Sequence, residues 1–211
     1  MKSLGNFPDP FKRVALTFDA EHPDRPWCPP GNAGRILDTL RDREVRATFF
    51  VQGRWAKAYP ETARRIAEEG HLIGHHSHYH ARMPLLLGGG FETDIAEGAS
   101  AIFAHTGVDP RPWFRCPFGA GHDDPRVLDL LEALGYRNVH WDVELADWEP
   151  WRTGEVIATD AIEGAVAHGD GAVVLFHTWP GGTGDAVPTV IDGLRDRGCT
   201  LATVDELERL P

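Results

Sequence analysis

Short apolar runs alternate with amphipathic stretches along this chain, and the alternation predicts the fold before any single residue does. Val14-Ala15-Leu16-Thr17-Phe18 reads as a buried strand. So do Ala47-Thr48-Phe49-Phe50-Val51, the short Leu72-Ile73-Gly74, Pro112 to Cys116, Asn138 to Trp141, Ala172-Val173-Val174-Leu175-Phe176 and Thr200-Leu201-Ala202-Thr203. Helical spacing fills the intervals. Asn32 to Arg43 carries Ile36, Leu37 and Leu40 on one face, and Glu61 to Glu69 starts near Tyr59-Pro60. Glu92 to His105 follows the breaker Gly88-Gly89-Gly90, and Asp124-Pro125 opens a helix that runs through Leu134 and stops at Gly135. Thr153 caps a helix to His168, Val187 to Arg197 ends at Gly198, and Val204 to Leu210 closes the chain.

Seven strand-then-helix units predict a parallel sheet with right-handed crossovers, covered on both faces. Seven units in 211 residues point to a distorted (β/α)7 barrel, related to the eight-stranded one and not quite closed. An open doubly wound sheet would want a glycine-rich phosphate turn after the first strand, where Phe18-Asp19-Ala20-Glu21 stands instead. No repeat or linker divides the chain, so one domain over residues 1–211 is expected.

In such barrels the reactive groups sit at the C-terminal ends of the strands. Asp19 and Glu21 follow the first strand, Gly74-His75-His76-Ser77-His78-Tyr79-His80 the third, Arg115 ends the fourth, Glu144 and Asp147 follow the fifth, and His177 the sixth. Five strands thus deliver ionisable groups to one rim. Asp19 and Glu21 share a direction if the strand persists, because side chains alternate. His76 and His80 are four apart, so one helical turn would aim both at one point. Two imidazoles and a carboxylate with an open position describe a catalytic zinc site. A second carboxylate could take a proton from an attacking water, and a histidine across the site could protonate a leaving group.

Composition narrows the partners. The net charge of −11 argues against nucleic acid and anionic membrane, which reward clustered Lys and Arg. No apolar run approaches a membrane span, and the first ten residues lack the apolar core of a secretory signal, so a cytoplasmic protein is expected unless a leader has been removed. Cys28, Cys116 and Cys199 form no CxxC pair and read as free thiols.

The strand-end residues resemble the NodB-homology polysaccharide deacetylases, a carbohydrate esterase family, over essentially the whole chain. Thr17-Phe18-Asp19-Ala20 resembles the family's TFDD, and Gly74-His75-His76-Ser77-His78-Tyr79-His80 its H-[S/T]-x-x-H, aligned on His76, Ser77 and His80. Arg115-Cys116-Pro117-Phe118-Gly119 resembles R-x-P-[YF]-G, and Trp141 to Trp148 resembles W-x-x-D-x-x-D-W. Leu175-Phe176-His177 resembles the closing L-x-H. The resemblance implies a distorted β/α barrel and metal-dependent removal of acetyl groups from sugars, with zinc the expected cation and cobalt, manganese or nickel as substitutes. It implies Asp19 as general base, His177 as general acid, Arg115 to orient and tune Asp19, and Asp147 to pair with His177. His76 and His80 would hold the metal. The Phe118 N–H would help hold the oxyanion, and Leu175 and Trp148 would wall the acetyl methyl. The partner implied is an acetylated carbohydrate.

Two positions depart from the pattern. Ala20 stands where the second Asp of TFDD would ligate, and Asp19-Ala20-Glu21 fits the D-x-E arrangement of some branches. Glu21, sharing Asp19's direction, is expected as third ligand in preference to Asp24 or His22. Glu144 stands at an Asp position. D-x-E branches include hydrolases of non-sugar amides, which keeps that substrate class open. Among the remaining residues, His75 and His71 are expected to be structural, His78 to face solvent, Cys116 to be a small buried group, and Trp113 and Trp141 to be core. Trp27, Trp151 and Trp179 fall in presumed rim loops, two of which, Pro23 to Gly31 and Thr178 to Pro188, look long.

Overall fold

The computed structural model of the protein describes residues 12–22 and 31–208. Among them, eight parallel strands form one curled sheet: β1 (Arg13–Ala20), β2 (Thr48–Val51), β3 (Leu72–His75), β4 (Trp113–Phe114), β5 (Arg137–Asn138), β6 (Val143–Glu144), β7 (Ala172–His177) and β8 (Thr200–Ala202). The helices are α1 (Asn32–Asp42), α2 (Gly53–Ala58), α3 (Pro60–Glu68), α4 (Gly90–Thr106), α5 (Pro125–Ala133), α6 (Gly154–His168), α7 (Gly181–Asp196) and α8 (Val204–Glu208). Across the sheet the order is β5-β4-β3-β2-β1-β7-β6, and β8 pairs with the N-terminal part of β1. The distorted, incompletely closed (β/α)7 barrel expected from the alternation is the fold that forms.

Apart from the short α2, which the spacing does not predict, two elements differ from expectation. The fifth strand ends at Asn138, and a further strand, β6, begins at Val143. Asn138 turns its side chain to accept the Cys116 N–H at 3.0 Å, while Asp142 docks on β7, donating its N–H to the Val173 carbonyl and accepting the Val173 N–H, both at 2.9 Å. Residues 139–142 therefore bridge the seam between the two ends of the sheet. The second difference is at Thr178 to Pro188, expected as a loop, where α7 already begins at Gly181 and carries Pro188 inside it. Gly181, Gly182 and Gly184 disguise the helix because glycine disfavours one. Two of them are there for packing: a Cβ on Gly182 would stand 2.8 Å from the Arg152 carbonyl oxygen, and one on Gly184 would collide with Oδ1 of Asn32. The other presumed loop lies almost wholly outside the described residues, Trp27 and Cys28 with it.

Period-two alternation on β1 sorts the core. Val14, Leu16, Phe18 and Ala20 face outward under the helices, where Phe18 stacks on Phe49 and Phe176 with ring centroids 5.0 and 5.3 Å apart. Ala15, Thr17 and Asp19 face the barrel interior. The floor is an apolar plug of Ala15, Phe50, Trp113 and Val204. Its Val204 comes from α8, fixed by a cap in which Glu206 Oε2 accepts the Thr203 N–H at 2.9 Å, and by the Val204 N–H donating to Thr48 Oγ1 at 3.0 Å. Polar groups therefore have only the upper end of the barrel to occupy.

His71 is structural, as expected. It is buried, stands 5.1 Å from the Phe49 ring, and accepts the Ala47 N–H on Nδ1 at 3.1 Å. Burial pushes its pKa down to about 4 against the pull of Glu69. An unfolded histidine titrates near about 6.5. Between these values the unfolded chain binds the extra proton, so stability at this position falls as pH falls, by up to about 1.4 kcal/mol per pH unit. His71→Gln should flatten the pH dependence of the urea-derived unfolding free energy between pH 6 and 4.5 by close to one proton. An unchanged slope would show that His71 titrates alike in both states.

Candidate active site

The upper end of β1 supplies the first two groups. Asp19 and Glu21 both turn toward the barrel axis, Asp19 in register with His177 on β7 and Phe50 on β2. Arg115, just past β4, is fully buried and crosses the interior to reach β1. Its Nη1 donates to Asp19 Oδ1 at 2.9 Å and to Thr17 Oγ1 at 2.8 Å, and its Nε donates to the Val139 carbonyl at 3.1 Å. Its guanidinium lies 4.1 Å from the centre of the Phe50 ring, which offers the charge a π face. Thr17 completes the link by donating to the Val174 carbonyl at 2.7 Å. Burial lowers the Arg115 pKa, and Asp19 opposes the shift.

The histidine stretch follows β3 and is not a helical turn. Ser77 and His80 have φ of 63° and 59°, in the left-handed region, and these two bends bring the His76 and His80 rings to 5.0 Å. The bends are held from outside. Asp94 of α4, buried, accepts the His78 and Tyr79 N–H groups at 3.0 and 3.1 Å. His75 accepts the Ser77 N–H on Nδ1 at 3.0 Å and reaches the Ile95 carbonyl with Nε2 at 3.1 Å, a core role as expected, with burial pushing its pKa down to about 3. His78 does not face solvent. It is 3% exposed, its ring packed into the space that Gly53 of α2 leaves by having no side chain. A Cβ on Gly53 would collide with His78 Nδ1, and one on Gly98 would stand 2.5 Å from His75 Nε2.

Glu21, His76 and His80 offer ligand atoms that all lie within 4.8 Å of one another. Glu21 Oε2 is 3.2 Å from His76 Nε2 and pairs with His80 Nε2. His76 Nδ1 donates to the Arg115 carbonyl at 2.9 Å, and in the neutral ring this leaves the lone pair of Nε2 facing the cluster. Burial alone would raise the Glu21 pKa, yet hydrogen bonds from His22, His76 and His80 hold it well below the usual carboxylate range. Burial lowers His80, whereas Asp19 and Glu21 outweigh burial and raise His76. Two imidazole nitrogens and one carboxylate, converging, with Glu21 and His76 buried and His80 partly so, fit a divalent cation with positions left for other ligands. Asp24, an alternative third donor, lies outside the described residues. The other alternative, His22, instead pairs with Glu21.

His177 sits on the other flank. Asp147 Oδ1 lies 2.7 Å from His177 Nδ1, and its Oδ2 accepts the His177 N–H at 2.8 Å and the Thr183 hydroxyl at 2.5 Å. Burial works against a charge on His177, but Asp147, with Glu21 and Asp19, pushes the pKa up to about 9. Nε2 faces Glu21 Oε1 at 3.8 Å. These groups share a cavity of about 310 Å³ whose walls include Phe118, Trp141, Glu144, Trp148, Leu175 and Trp179. Trp148 stands edge-on to His177 at 5.2 Å, and buried Leu175 adjoins it on β7. Phe118 has φ of 58°, and its ring, half exposed, lies 4.3 Å from His80. Trp141 lines the cavity instead of the core, and Trp113 is core. Trp179 is buried at the cavity wall, and Trp151 is exposed.

Every predicted site residue is brought to this cavity or to a direct contact of a residue lining it. Sequence reasoning missed the parts played by Thr17, Asp94, Thr183 and the Trp179 indole N–H. Thr17 falls inside the TFDD-like stretch, but nothing there reveals its part; each of the four acts by hydrogen-bonding a residue from another segment of the chain. Cys116 and Cys199 are free and buried, and burial pushes the Cys116 thiol up to about 12, which leaves it unreactive. No helix among the described residues is long and apolar enough to cross a membrane.

A family profile described as polysaccharide deacetylase matches residues 7–139. The chain is 30% identical over 205 residues to the peptidoglycan-N-acetylmuramic acid deacetylase PdaA of Bacillus subtilis, covering 97% of this chain and 73% of that protein. Among solved structures it is similar to a peptidoglycan N-acetylglucosamine deacetylase in complex with 4-naphthalen-1-yl-N-oxidanyl-benzamide, with a TM-score of 0.81 and 27% identity over 94% of this chain and 88% of that one. It is also similar to a CE4 family pseudoenzyme from Bacillus anthracis, with a TM-score of 0.80 and 28% identity over 94% and 66% of the two chains.

The buried Arg115–Asp19 pair makes a stability prediction. Arg115→Met leaves a buried carboxylate without its counter-charge and should cost about 3–5 kcal/mol in urea denaturation. Adding Asp19→Asn should return part of that loss. Strictly additive losses would show that the two charges do not depend on each other.

Proposed function

The chain belongs to the polysaccharide deacetylase family, and from that membership and the site's geometry we propose that it is a metal-dependent hydrolase that removes acetyl groups from N-acetylated sugars. The observation that carries the reading is the meeting, in one cavity, of a three-donor cluster with an oriented carboxylate and an oriented imidazole. Glu21, His76 and His80 hold the cation, with zinc the best match to this donor set and cobalt, manganese or nickel able to substitute. The bound cation supplies Lewis-acid polarisation of the acetyl carbonyl and a lowered pKa for a water.

The chain's own residues do the rest. Asp19, fixed by Arg115, takes the proton from the attacking water. The Phe118 N–H hydrogen-bonds the oxygen that becomes negative, an interaction worth about 3 kcal/mol where it has been measured in other hydrolases. His177, oriented by Asp147, delivers a proton to the departing nitrogen. Leu175 and Trp148 enclose the acetyl methyl and keep bulkier acyl groups out. Aromatic walls from Trp141, Trp148 and Trp179 suit sugar rings, whose C–H faces pack on aromatic surfaces. The relatives named for peptidoglycan amino sugars favour an N-acetyl over an O-acetyl substrate, and the −11 charge favours neutral or cationic sugars.

Acetate release by metal-loaded protein from peptidoglycan fragments, chitin oligomers, acetylated xylan and small amides should be highest on an N-acetylated sugar. Turnover of the small amides alone would move the protein to the amide-hydrolase reading. Sugar binding with no acetate released in added zinc or cobalt would make it a non-catalytic relative. Asp19→Asn should lower kcat by about 10²–10⁴-fold while zinc stays bound. Glu21→Ala should lose the zinc itself, and full zinc retention in that variant would remove Glu21 from the ligand set.

A further inference from the structure

An extended strand places consecutive side chains on opposite faces, so residue 22 ought to point away from residue 21. It does not. His22 has φ of 55°, in the left-handed region that a non-glycine residue enters at a cost. Its N–H donates to Oε1 of the buried Gln52 at 3.2 Å, and the Gln52 N–H donates to the Ala20 carbonyl at 3.0 Å, so the bend is anchored at the ends of β1 and β2. The bend carries the imidazole back over its neighbour: His22 Nε2 lies 2.9 Å from Glu21 Oε1. The Trp179 indole N–H donates to the same oxygen at 3.3 Å. Oε2, the other oxygen, faces His76 and His80. The two oxygens of one carboxylate therefore have different tasks.

Resting on the metal centre proposed above, we propose that His22 is a positioning residue: with Trp179 it holds Oε1 of Glu21 and commits Oε2 alone to the cation. The need for such a clamp follows from the D-x-E arrangement. Glutamate has one more rotatable bond than aspartate, and a longer side chain spreads its donor atom over more positions unless something orders it. An unclamped carboxylate could also turn both oxygens to the cation and fill a position that water or substrate needs. His22 and His80 meet edge-on, with ring centroids 4.4 Å apart, so the clamp also buttresses a second member of the cluster.

The test is metal affinity of the full chain, by competition with a chromophoric chelator, together with the visible spectrum of the cobalt-loaded protein. His22→Ala should bind zinc about 10–100-fold more weakly, the usual effect of losing a group that orients a ligand. Its cobalt bands should weaken as the coordination number rises. His22→Gln, whose amide can still donate to Oε1, should recover part of the affinity, which a purely structural role would not grant. Trp179→Phe should weaken binding less than His22→Ala. Zinc affinity and cobalt spectrum of folded His22→Ala matching the wild type would overturn the proposal. Should His22→Ala fail to fold, unchanged zinc affinity in both His22→Gln and Trp179→Phe would overturn it equally. None of these outcomes depends on acetate release. A wild type that binds zinc yet releases no acetate defeats the deacetylase reading and leaves His22 to be judged on affinity, whereas a wild type that binds no zinc defeats both.

Discussion

A charge buried in the middle of the barrel sets the terms for everything above it. Arg115 is enclosed by protein on all sides, and a lone guanidinium there would be untenable. It is tolerable because each partner is a different part of the fold: Asp19 and Thr17 on β1, the Val139 carbonyl past β5, and the Phe50 ring on β2. Its own carbonyl engages His76. One residue thus aligns the carboxylate proposed as base, fixes the tautomer of a proposed ligand and ties three strands together. The pair proposed for the chemistry is thus also the pair that burial demands.

The lower half of the barrel was the easier part to read from sequence. Val14 to Phe18 and Ala172 to Phe176 are apolar enough to declare themselves, and the cap residues Asp124 and Thr153 accept the N–H groups of Arg126 and Val156 as their positions suggest. Asp19, Glu21, His76, His80, Arg115 and His177 were legible because strand ends in this architecture share a rim. What was hidden depends on contacts between distant segments. A sequence cannot show that Gly53 makes room for the ring of His78 and Gly98 for that of His75, nor that Asp94 catches two N–H groups of the histidine stretch. Spacing of four suggested a helical turn for His76 and His80. The convergence is real, but two left-handed residues produce it. The glycines of α7 misled in the opposite direction, since local propensity argued for a loop where packing on α1 and α6 makes a helix.

The seam between β5 and β6 separates two kinds of work. On the β1–β4 side stand the proposed cation donors and the Arg115–Asp19 pair; on the β6–β7 side stand Asp147, His177 and the residues proposed to wall the acetyl methyl. The bridge across it carries Trp141, which lines the cavity, and His140, whose ring stacks on both Trp141 and His122 with centroids 4.0 Å away in each case. The open edge of the sheet is therefore filled by aromatic rings, and the cavity gains a wall where a closed barrel would have had a strand.

The pairing of β1 also has a consequence in time. Its neighbour β2 is made soon after it, but β7, with which it pairs from Val14 to Asp19, lies some 158 residues further along, and β8 later still. At the ordinary pace of synthesis, about 5–20 residues per second, one edge of β1 waits on the order of 10–30 s for its partner. That edge is apolar and offers unpaired N–H and C=O groups to any passing strand for the whole interval. The strand that bears Asp19 thus stands half-paired through most of synthesis, open to wrong pairing until β7 emerges.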